Sequence, residues 1–234
     1  WTATFTPTAS TEDAVNVVSV AASYTDTAGN AGGAATSANY AVETQAPSVS
    51  TLAISDDSLL VGETATLTIV FSEAVANFAS ADITVPSGAI GTLASSDSIT
   101  WTATLTPTAD TEDATNVVTI ATSYTDTAGN AGAAGTSPNY AVETLAPSVS
   151  SVTMSDTALK AGDTATLTIV FSEAVAAFAN ADVTVESGAL ATMTSSDSIT
   201  WTGTFTPTAD TEDASNTVTV ATSYTDTVGN AGGA

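Results

Sequence analysis

Short runs in which hydrophobic and polar residues alternate recur along the whole chain. In Thr64–Phe71, for example, Ala65, Leu67, Ile69 and Phe71 share one face, and the residues between them, mostly threonine, share the other. This period of two predicts half-buried β-strands, and glycine, proline, asparagine and aspartate between the runs mark turns. No segment has the longer periodicity that a long helix needs.

The strand pattern repeats every 100 residues, since Trp1, Trp101 and Trp201 open nearly identical segments. The linkers Val42–Pro47 and Val142–Pro147 are the natural boundaries, because proline stiffens a junction and cannot donate to a β-ladder. We therefore predict the end of one repeat (1–46), a complete repeat (47–146) and most of a third (147–234), whose last strand is missing. We expect both ends to be cuts in a longer chain.

Within the complete repeat we predict seven short strands, which we name A to G. They are Ser48–Ile54, Thr64–Phe71, Asp82–Val85, Ile90–Ala94, Ile99–Thr106, Val117–Tyr124 and Ser137–Glu143. A helical turn fits between the second and third strands, in Glu73–Ala81. Seven strands in about 100 residues predict an all-β, two-sheet sandwich. The residues that we expect in its core are Leu67, Ile69, Phe71, Trp101, Val118 and Ile120.

Charge narrows the possible functions. The chain has 25 Asp plus Glu, one Lys or Arg (Lys160), and no His or Cys. Binding of nucleic acid or of an anionic membrane surface needs clustered basic residues, so neither is expected. The sequence has no run of about 18 apolar residues, so a membrane-spanning helix is not expected. Without cysteine or histidine, thiol catalysis, disulfides and an ordinary zinc site are excluded, and we predict that the chain is not an enzyme.

Several ordered motifs resemble the bacterial immunoglobulin-like (Big) repeats of giant surface adhesins. They stand at Ser55–Val75, Ala81–Val85, Trp101–Pro107, Tyr124–Asn130 and Tyr140–Thr144. The resemblance implies tandem immunoglobulin-like β-sandwich repeats that form extender rods at the bacterial cell surface or in an extracellular fibre. It also implies calcium near the domain junctions. The family usually has Asp in the junction motif where this chain has Glu43 and Glu143, which keeps a carboxylate in place.

The acidic residues of the predicted strand map lie almost all in loops, and these loops collect at the two poles of each sandwich. In a tandem array, one pole of a repeat faces the opposite pole of the next, so the carboxylates would repel unless cations lie between them. Calcium suits such oxygen ligands better than magnesium does. The predicted ligands are Asp56, Glu73, Asp82, Asp110, Glu112, Asp113, Asp126, Asn130, Glu143, Asp156, Glu173, Asp182 and Asp226.

Each acidic motif also has a plain structural interpretation. Asp126 to Asn130 can form a turn in which Gly129 supplies the positive φ and the polar side chains bond the backbone. Asp110 to Asp113 can be a solvated acidic loop, and Ser10 stands at the equivalent of Asp110 in the first copy. That position therefore cannot be an obligatory ligand.

Three functions remain open. The first is a structural extender whose junctions are stiffened by calcium and whose partners are the neighbouring repeats. The second is a self-assembling extracellular filament, in which strand complementation joins other copies of the chain. The third is a module that binds glycans or cells, although the loops hardly vary between copies, which disfavours it.

Overall fold

The alternating run around Leu67 forms the strand Ala65–Phe71 in a computed structural model that describes residues 1–233. The chain divides into two compact units. The first contains Trp1–Ser55, Ala65–Leu105 and Val117–Asn139, and the second contains Asp56–Thr64, Thr106–Asn116 and the chain from Tyr140 onward. The secondary structure is almost entirely β, which confirms the predicted fold class.

The first unit is built from short strands and one 3₁₀ turn, Ser80–Asp82. Its strands are Glu12–Asn16, Ser19–Val20, Ala35–Thr36, Tyr40–Glu43, Val49–Ile54, Ala65–Phe71, Val75–Ala76, Ile83–Thr84, Gly88–Ile90, Ala94–Ser95, Thr100–Pro107 (as far as Leu105), Thr119–Ile120, Thr125–Asp126 and Gly135–Thr136.

Ala65–Phe71 lies between two antiparallel neighbours in the main sheet of this unit. Its partners are Val49–Ile54 on one side and Thr100–Pro107 on the other. A second sheet has the order Gly135–Thr136, Thr119–Ile120, Ile83–Thr84. The alternation decides which face is buried, because Leu67 and Ile69 are fully covered while Thr66 is exposed and Thr68 is half-buried.

Aromatic rings fill the core of the first unit. Phe71 packs against Phe78 and Tyr124, with ring centroids 4.9 and 4.8 Å apart. The predicted burial of Leu67, Ile69, Phe71, Val118 and Ile120 is confirmed. Trp101, also expected in the core, has intermediate exposure, and its Nε1 atom is buried. Its side chain is half-buried because it stands near the start of its strand, where Phe78 covers it edge-on at 5.4 Å.

The second unit repeats the same plan. Its strands are Ser58–Leu60, Glu112–Asn116, Tyr140–Glu143, Val149–Met154, Ala165–Phe171, Val175–Ala176, Val183–Val185, Gly188–Leu190, Thr200–Pro207, Val218–Val220 and Thr225–Asp226, and its 3₁₀ turn is Asn180–Asp182. Ala165–Phe171 again lies between two antiparallel partners. The core contains Leu167, Ile169, Phe171, Phe178 and Tyr224, with Met193 where the first unit has no methionine.

The predicted strand F, Val117–Tyr124, is wrong in its extent. The structure has three short strands in this region, Glu112–Asn116, Thr119–Ile120 and Thr125–Asp126, each with different partners. A register shift between Asp113 and Asn116 interrupts the pairing. The Asn116 side-chain amide stabilises this irregularity by donating to the carbonyl oxygens of Asp113 (3.0 Å) and Tyr140 (3.2 Å).

Other boundaries also differ from the prediction. Ser58–Leu60, expected in a loop, is a strand that pairs in parallel with Tyr140–Glu143. Strand D is replaced by Gly88–Ile90 and Ala94–Ser95, and strand G is divided into Gly135–Thr136 and Tyr140–Glu143. Among residues 1–233, no helix is long and apolar enough to cross a membrane.

Candidate metal-binding junctions

The segment from Asp126 to Asn130 forms a tight turn in the first unit. Oδ1 of Asp126 accepts hydrogen bonds from the backbone N–H groups of Gly129 (2.6 Å) and Asn130 (2.8 Å), and Oδ2 accepts one from the Asn130 side-chain amide (2.6 Å). Gly129 has a φ of 96°, which disfavours any side chain there. The plain structural interpretation of this motif is therefore correct for its backbone.

This turn lies beside the linker that precedes the complete repeat. The Asn130 amide is 3.5 Å from the carbonyl oxygen of Glu43. We call Glu43, Glu73, Asp126 and Asn130 the first junction. Burial raises the pKa of the Glu73 carboxyl, and the negative charges of Asp126 and Glu43 raise it further.

The second unit has an equivalent group, Glu143, Glu173, Asp226 and Asn230, which we call the second junction. The Asn230 amide donates to Oδ2 of Asp226 at 2.6 Å, and it lies 3.4 Å from both the carbonyl oxygen and Oε1 of Glu143. It also contacts the Leu145 carbonyl oxygen at 3.3 Å. One asparagine side chain thus connects a distal turn of the third repeat to the linker that begins it.

Negative charge accumulates at the second junction. Burial raises the pKa of Glu173, and the charges of Asp226, Glu143 and Glu112 raise it further. Burial also raises the pKa of Glu143, against a lowering hydrogen bond from the Leu145 N–H. Lys160 is the only lysine or arginine in the sequence, so the carboxylates have almost no basic side chains available to offset them.

The charged form of the turn aspartate is nevertheless favoured. Asp126 is only 2% exposed, and this burial raises its pKa. The hydrogen bonds from the side chain and backbone of Asn130 and from the Gly129 N–H outweigh it, and the pKa of Asp126 is lowered. The first junction therefore retains an ionised Asp126 next to Glu73, whose ionisation is costly.

The oxygen atoms at the second junction suit a hard cation in their chemistry. Oε1 of Glu173 is buried and has no hydrogen-bond partner. Carboxylates of Glu143 and Asp226 and the carbonyl of Leu145 supply further oxygens, the ligand type that calcium prefers. Within residues 1–233, however, no three acidic side chains are already grouped as a metal site. Side chains would have to rotate inward for an ion to bind.

The remaining predicted ligands are engaged elsewhere. Asp82 and Asp182 are buried, and each ends a 3₁₀ turn. Asp82 accepts hydrogen bonds from the backbone N–H of Ala79 (2.8 Å) and the hydroxyl of Ser123. Asp182 accepts the equivalent bonds from Ala179 (2.8 Å) and Ser223. Asp56 and Asp156 accept from the backbone two residues ahead.

The acidic segment Asp110–Asp113 is not one loop. Asp110 is exposed and has a φ of 51°, and Glu112 and Asp113 begin a strand in which Glu112 stands opposite Glu143. Asp113 accepts a hydrogen bond from the Thr115 N–H at 3.0 Å. Of this segment, Glu112 is the residue whose charge reaches Glu143 and Glu173.

Two residues with buried contacts to the linkers are absent from the predicted ligands. Asn230 is the copy of Asn130 at the 100-residue spacing, so the repeat itself was the signal that could have found it. Thr144 is only 4% exposed, and its hydroxyl donates to the Thr108 carbonyl at 2.7 Å while accepting from the Thr111 N–H. It fixes the start of the linker, and no pattern in the sequence distinguishes it from the other threonines.

The family of bacterial Ig-like domains matches the chain three times, at residues 1–42, 43–142 and 143–234. The chain belongs to this family. The three matches confirm the resemblance seen in the motifs, and they place each boundary four residues before the predicted one. No curated protein and no solved structure matches the chain. Bacterial Ig-like domains have a structural, non-enzymatic fold and are typically extracellular repeat modules.

Proposed function

We propose that this bacterial Ig-like chain is a segment of extender repeats in a long extracellular adhesin or surface fibre, and that calcium binds at its repeat junctions. Near-identical copies at a constant spacing support a role in length, since sites that recognise different targets need varied loops. The observation that carries the calcium proposal is the second junction, where Glu173 buries an oxygen without a partner beside two other carboxylates.

Glu143, Glu173 and Asp226 would hold the ion, together with the Leu145 carbonyl. Glu143 lies in the linker, whereas Glu173 and Asp226 come from turns of the third repeat. A divalent cation supplies positive charge at a position where burial and mutual repulsion disfavour ionised glutamates. With these carboxylates compensated, the linker and the repeat that follows it would be held together more firmly.

Isothermal titration calorimetry with calcium chloride, and separately with magnesium chloride, tests this proposal on the whole chain. We expect saturable calcium binding and weaker magnesium binding, because magnesium demands stricter octahedral geometry and keeps its waters. Glu173→Gln and Asp226→Asn should each weaken calcium binding. Glu212→Gln is the control, since Glu212 is exposed and outside both junctions. Absence of saturable binding, or equal binding by Glu173→Gln and the unsubstituted chain, would overturn the proposal.

A further inference from the structure

The strand Val49–Ile54 lies at one edge of the main sheet of the first unit. It pairs antiparallel with Ala65–Phe71, and its other edge pairs with no strand among residues 1–233. In the second unit, Val149–Met154 has the same position at the edge of the corresponding sheet. The complete repeat has sequence on both sides and the same edge recurs in the third repeat, so the unpaired edge is a property of the repeat itself.

The hydrogen-bond pattern shows which backbone groups face this edge. The Ser55 N–H donates to the Thr66 carbonyl at 3.0 Å. Hydrogen-bonded positions alternate along an antiparallel ladder, so Ala53, like Ser55, directs its backbone groups toward the neighbouring strand. Leu52 and Ile54 therefore direct their backbone N–H and C=O groups toward the unpaired edge, although the Leu52 side chain is buried in the core.

The features that protect this edge are at the start of the strand. A register irregularity separates Val49 from Thr51, and such bulges hinder pairing with a further strand. Gly135 also packs against Val49, because a Cβ atom there would lie 2.8 Å from Cγ2 of Val49. Further along, Thr51 and Ala53 are exposed, and the strand from Thr51 to Ile54 has neither a charged residue nor a proline, which are common protections of an edge.

Charge favours a second copy of the same chain as the partner. The net charge is −24, so two copies repel over most of their surfaces, but residues 44–55 contain no charged side chain. Antiparallel pairing centred on Leu52 places Thr51 of one copy opposite Ala53 of the other. It also places Asp56 of each copy at opposite ends of the shared ladder, whereas parallel pairing would place these two carboxylates side by side.

We infer that Val49–Ile54 of the complete repeat pairs antiparallel with the same strand of a second copy, so that two main sheets join edge to edge. The backbone groups of Leu52 and Ile54 that face the unpaired edge form the new ladder, and main-chain hydrogen bonds supply the affinity. The contact is a two-fold one, and at this strand it joins two copies only. It does not depend on calcium, so each experiment below is done in EDTA.

Sedimentation velocity tests the association. Every protein compared carries Ser151→Lys and Thr153→Lys, two changes at exposed positions that protect the equivalent edge of the third repeat. This background protein should dimerise as its concentration rises. Addition of Thr51→Lys with Ala53→Lys places like charges opposite each other twice in the two-fold pair, so the dimer Kd should rise about tenfold. A background protein that stays monomeric into the millimolar range would overturn the inference.

The matched control is Thr102→Lys with Thr104→Lys in the same background. Both threonines are exposed, and they lie two strands from the edge on the face that also carries Ala53. The control adds the same charge away from the contact, so it should dimerise as the background protein does. Equal weakening by the two pairs of substitutions would show that total charge governs association, and the edge would be excluded as the contact.

Mixtures of oppositely charged variants test the antiparallel register. In the same background, Thr51→Lys should form mixed dimers with Ala53→Glu more readily than with Thr51→Glu, because antiparallel pairing brings position 51 opposite position 53. The two glutamate variants have the same net charge, so general attraction is equal in both mixtures. A preference for Thr51→Glu would indicate parallel pairing and contradict the inference.

Amide hydrogen exchange locates the new ladder. The Ala53 N–H faces the neighbouring strand within its own chain, so its protection should be similar in monomer and dimer. The N–H groups of Leu52 and Ile54 should become protected only when the background protein dimerises. Dimerisation without added protection at these two residues would mean that the copies associate through another surface.

Discussion

At the residue scale, one asparagine side-chain amide connects the turn aspartate to the linker at each junction. Asn230 is 3% exposed and donates to the carboxylate of Asp226, which is 2% exposed. Buried acceptors that lose their donor carry a desolvation cost of about 1–3 kcal/mol, or more when charged. The chain contains the same contact in an exposed setting, because the Asn30 amide donates to Asp26 at 2.7 Å in the first repeat.

We therefore predict that Asn230→Ala destabilises the chain by about 1–3 kcal/mol. The Asp226 carboxylate stays buried and loses one of its donors, and the Leu145 carbonyl loses its contact as well. Asn30→Ala is the control and should cost much less, since water replaces the lost donor. Urea unfolding followed by circular dichroism measures both variants. Equal losses of stability would mean that burial at the junction adds nothing to this contact.

The second residue-scale prediction concerns pH. The pKa of Glu173 is raised in the folded state, so its contribution to stability is fully present below the ordinary glutamate pKa of 4.5 and is lost as pH rises through the raised value. Without calcium, Glu173→Gln should therefore stabilise the chain at neutral pH and have little effect at pH 4. The pKa of Asp126 is lowered, so its contribution changes in the opposite direction and is lost on acidification.

Thermal unfolding of both proteins in EDTA between pH 4 and pH 8 checks the sign. Glu212→Gln, at an exposed position outside the junctions, should follow the unsubstituted chain across the range. If Glu173→Gln were less stable than the unsubstituted chain at pH 7 in EDTA, the ionised carboxylate would be favourable in the folded state, contrary to the electrostatic argument.

At the scale of elements, tyrosine rings at the end of the core depend on the absence of a neighbouring side chain. A Cβ atom at Gly132 would lie 2.2 Å from Cε2 and Cζ of Tyr124. The Tyr124 ring packs against Phe71 and Phe78, and its hydroxyl donates to the Ala133 carbonyl at 2.6 Å. Gly32 stands in the same relation to Tyr24, but that ring is 51% exposed.

Gly132→Ala should consequently destabilise the chain by about 1–3 kcal/mol, the usual cost of overpacking a core. Tyr124 cannot move without displacing Phe71 or Phe78. Gly32→Ala creates the same initial clash and should cost far less, because Tyr24 can swing into solvent. Urea denaturation midpoints compare the two variants. Similar costs at both positions would indicate that the backbone, and not the buried ring, resists the change.

The same elements show how far the sequence predicts the fold. Strands with strict alternation, such as Ala65–Phe71, are found within one residue of the predicted bounds. Val117–Tyr124 fails because alternation reports which face is buried and not which strand is the partner, and the bulge at Asn116 depends on a contact with the distant Tyr140. Ser58–Leu60 was missed because three residues are too few to show a period.

The candidate site was predicted in part for a similar reason. Strand order predicts that the loops of Glu73 and Asp126 lie at the same end of a repeat. It also predicts that Glu143 lies near Glu173 and Asp226 of the next repeat. The structure brings both groups together. Asp56, Asp82 and Asp110 are acidic loop residues as well, but each belongs to a local turn of its own. Composition alone cannot distinguish an aspartate that binds its own backbone from one that faces a neighbouring carboxylate.

At the scale of the whole molecule, the net charge of −24 makes stability depend on the ions present. We predict that calcium raises the Tm of the chain and that EDTA lowers it. An ion that binds only the folded state adds about 2.7 kcal/mol when its free concentration is a hundred times its Kd. For a chain of this size, such a gain corresponds to a Tm shift of several degrees. Differential scanning calorimetry with and without calcium measures it.

Sodium chloride and Glu173→Gln together separate binding from screening. Salt weakens repulsion between exposed carboxylates, so some increase in Tm with sodium chloride is expected, but screening is weak for buried groups such as Oε1 of Glu173. Sodium chloride at matched ionic strength should therefore not reproduce the effect of calcium. Removal of the Glu173 charge should raise the Tm in EDTA and reduce the additional gain from calcium, because the group that repels its neighbours is also a proposed ligand. If calcium shifts both proteins equally, or if sodium chloride replaces it fully, the junction carboxylates interact only through general electrostatics and hold no specific ion.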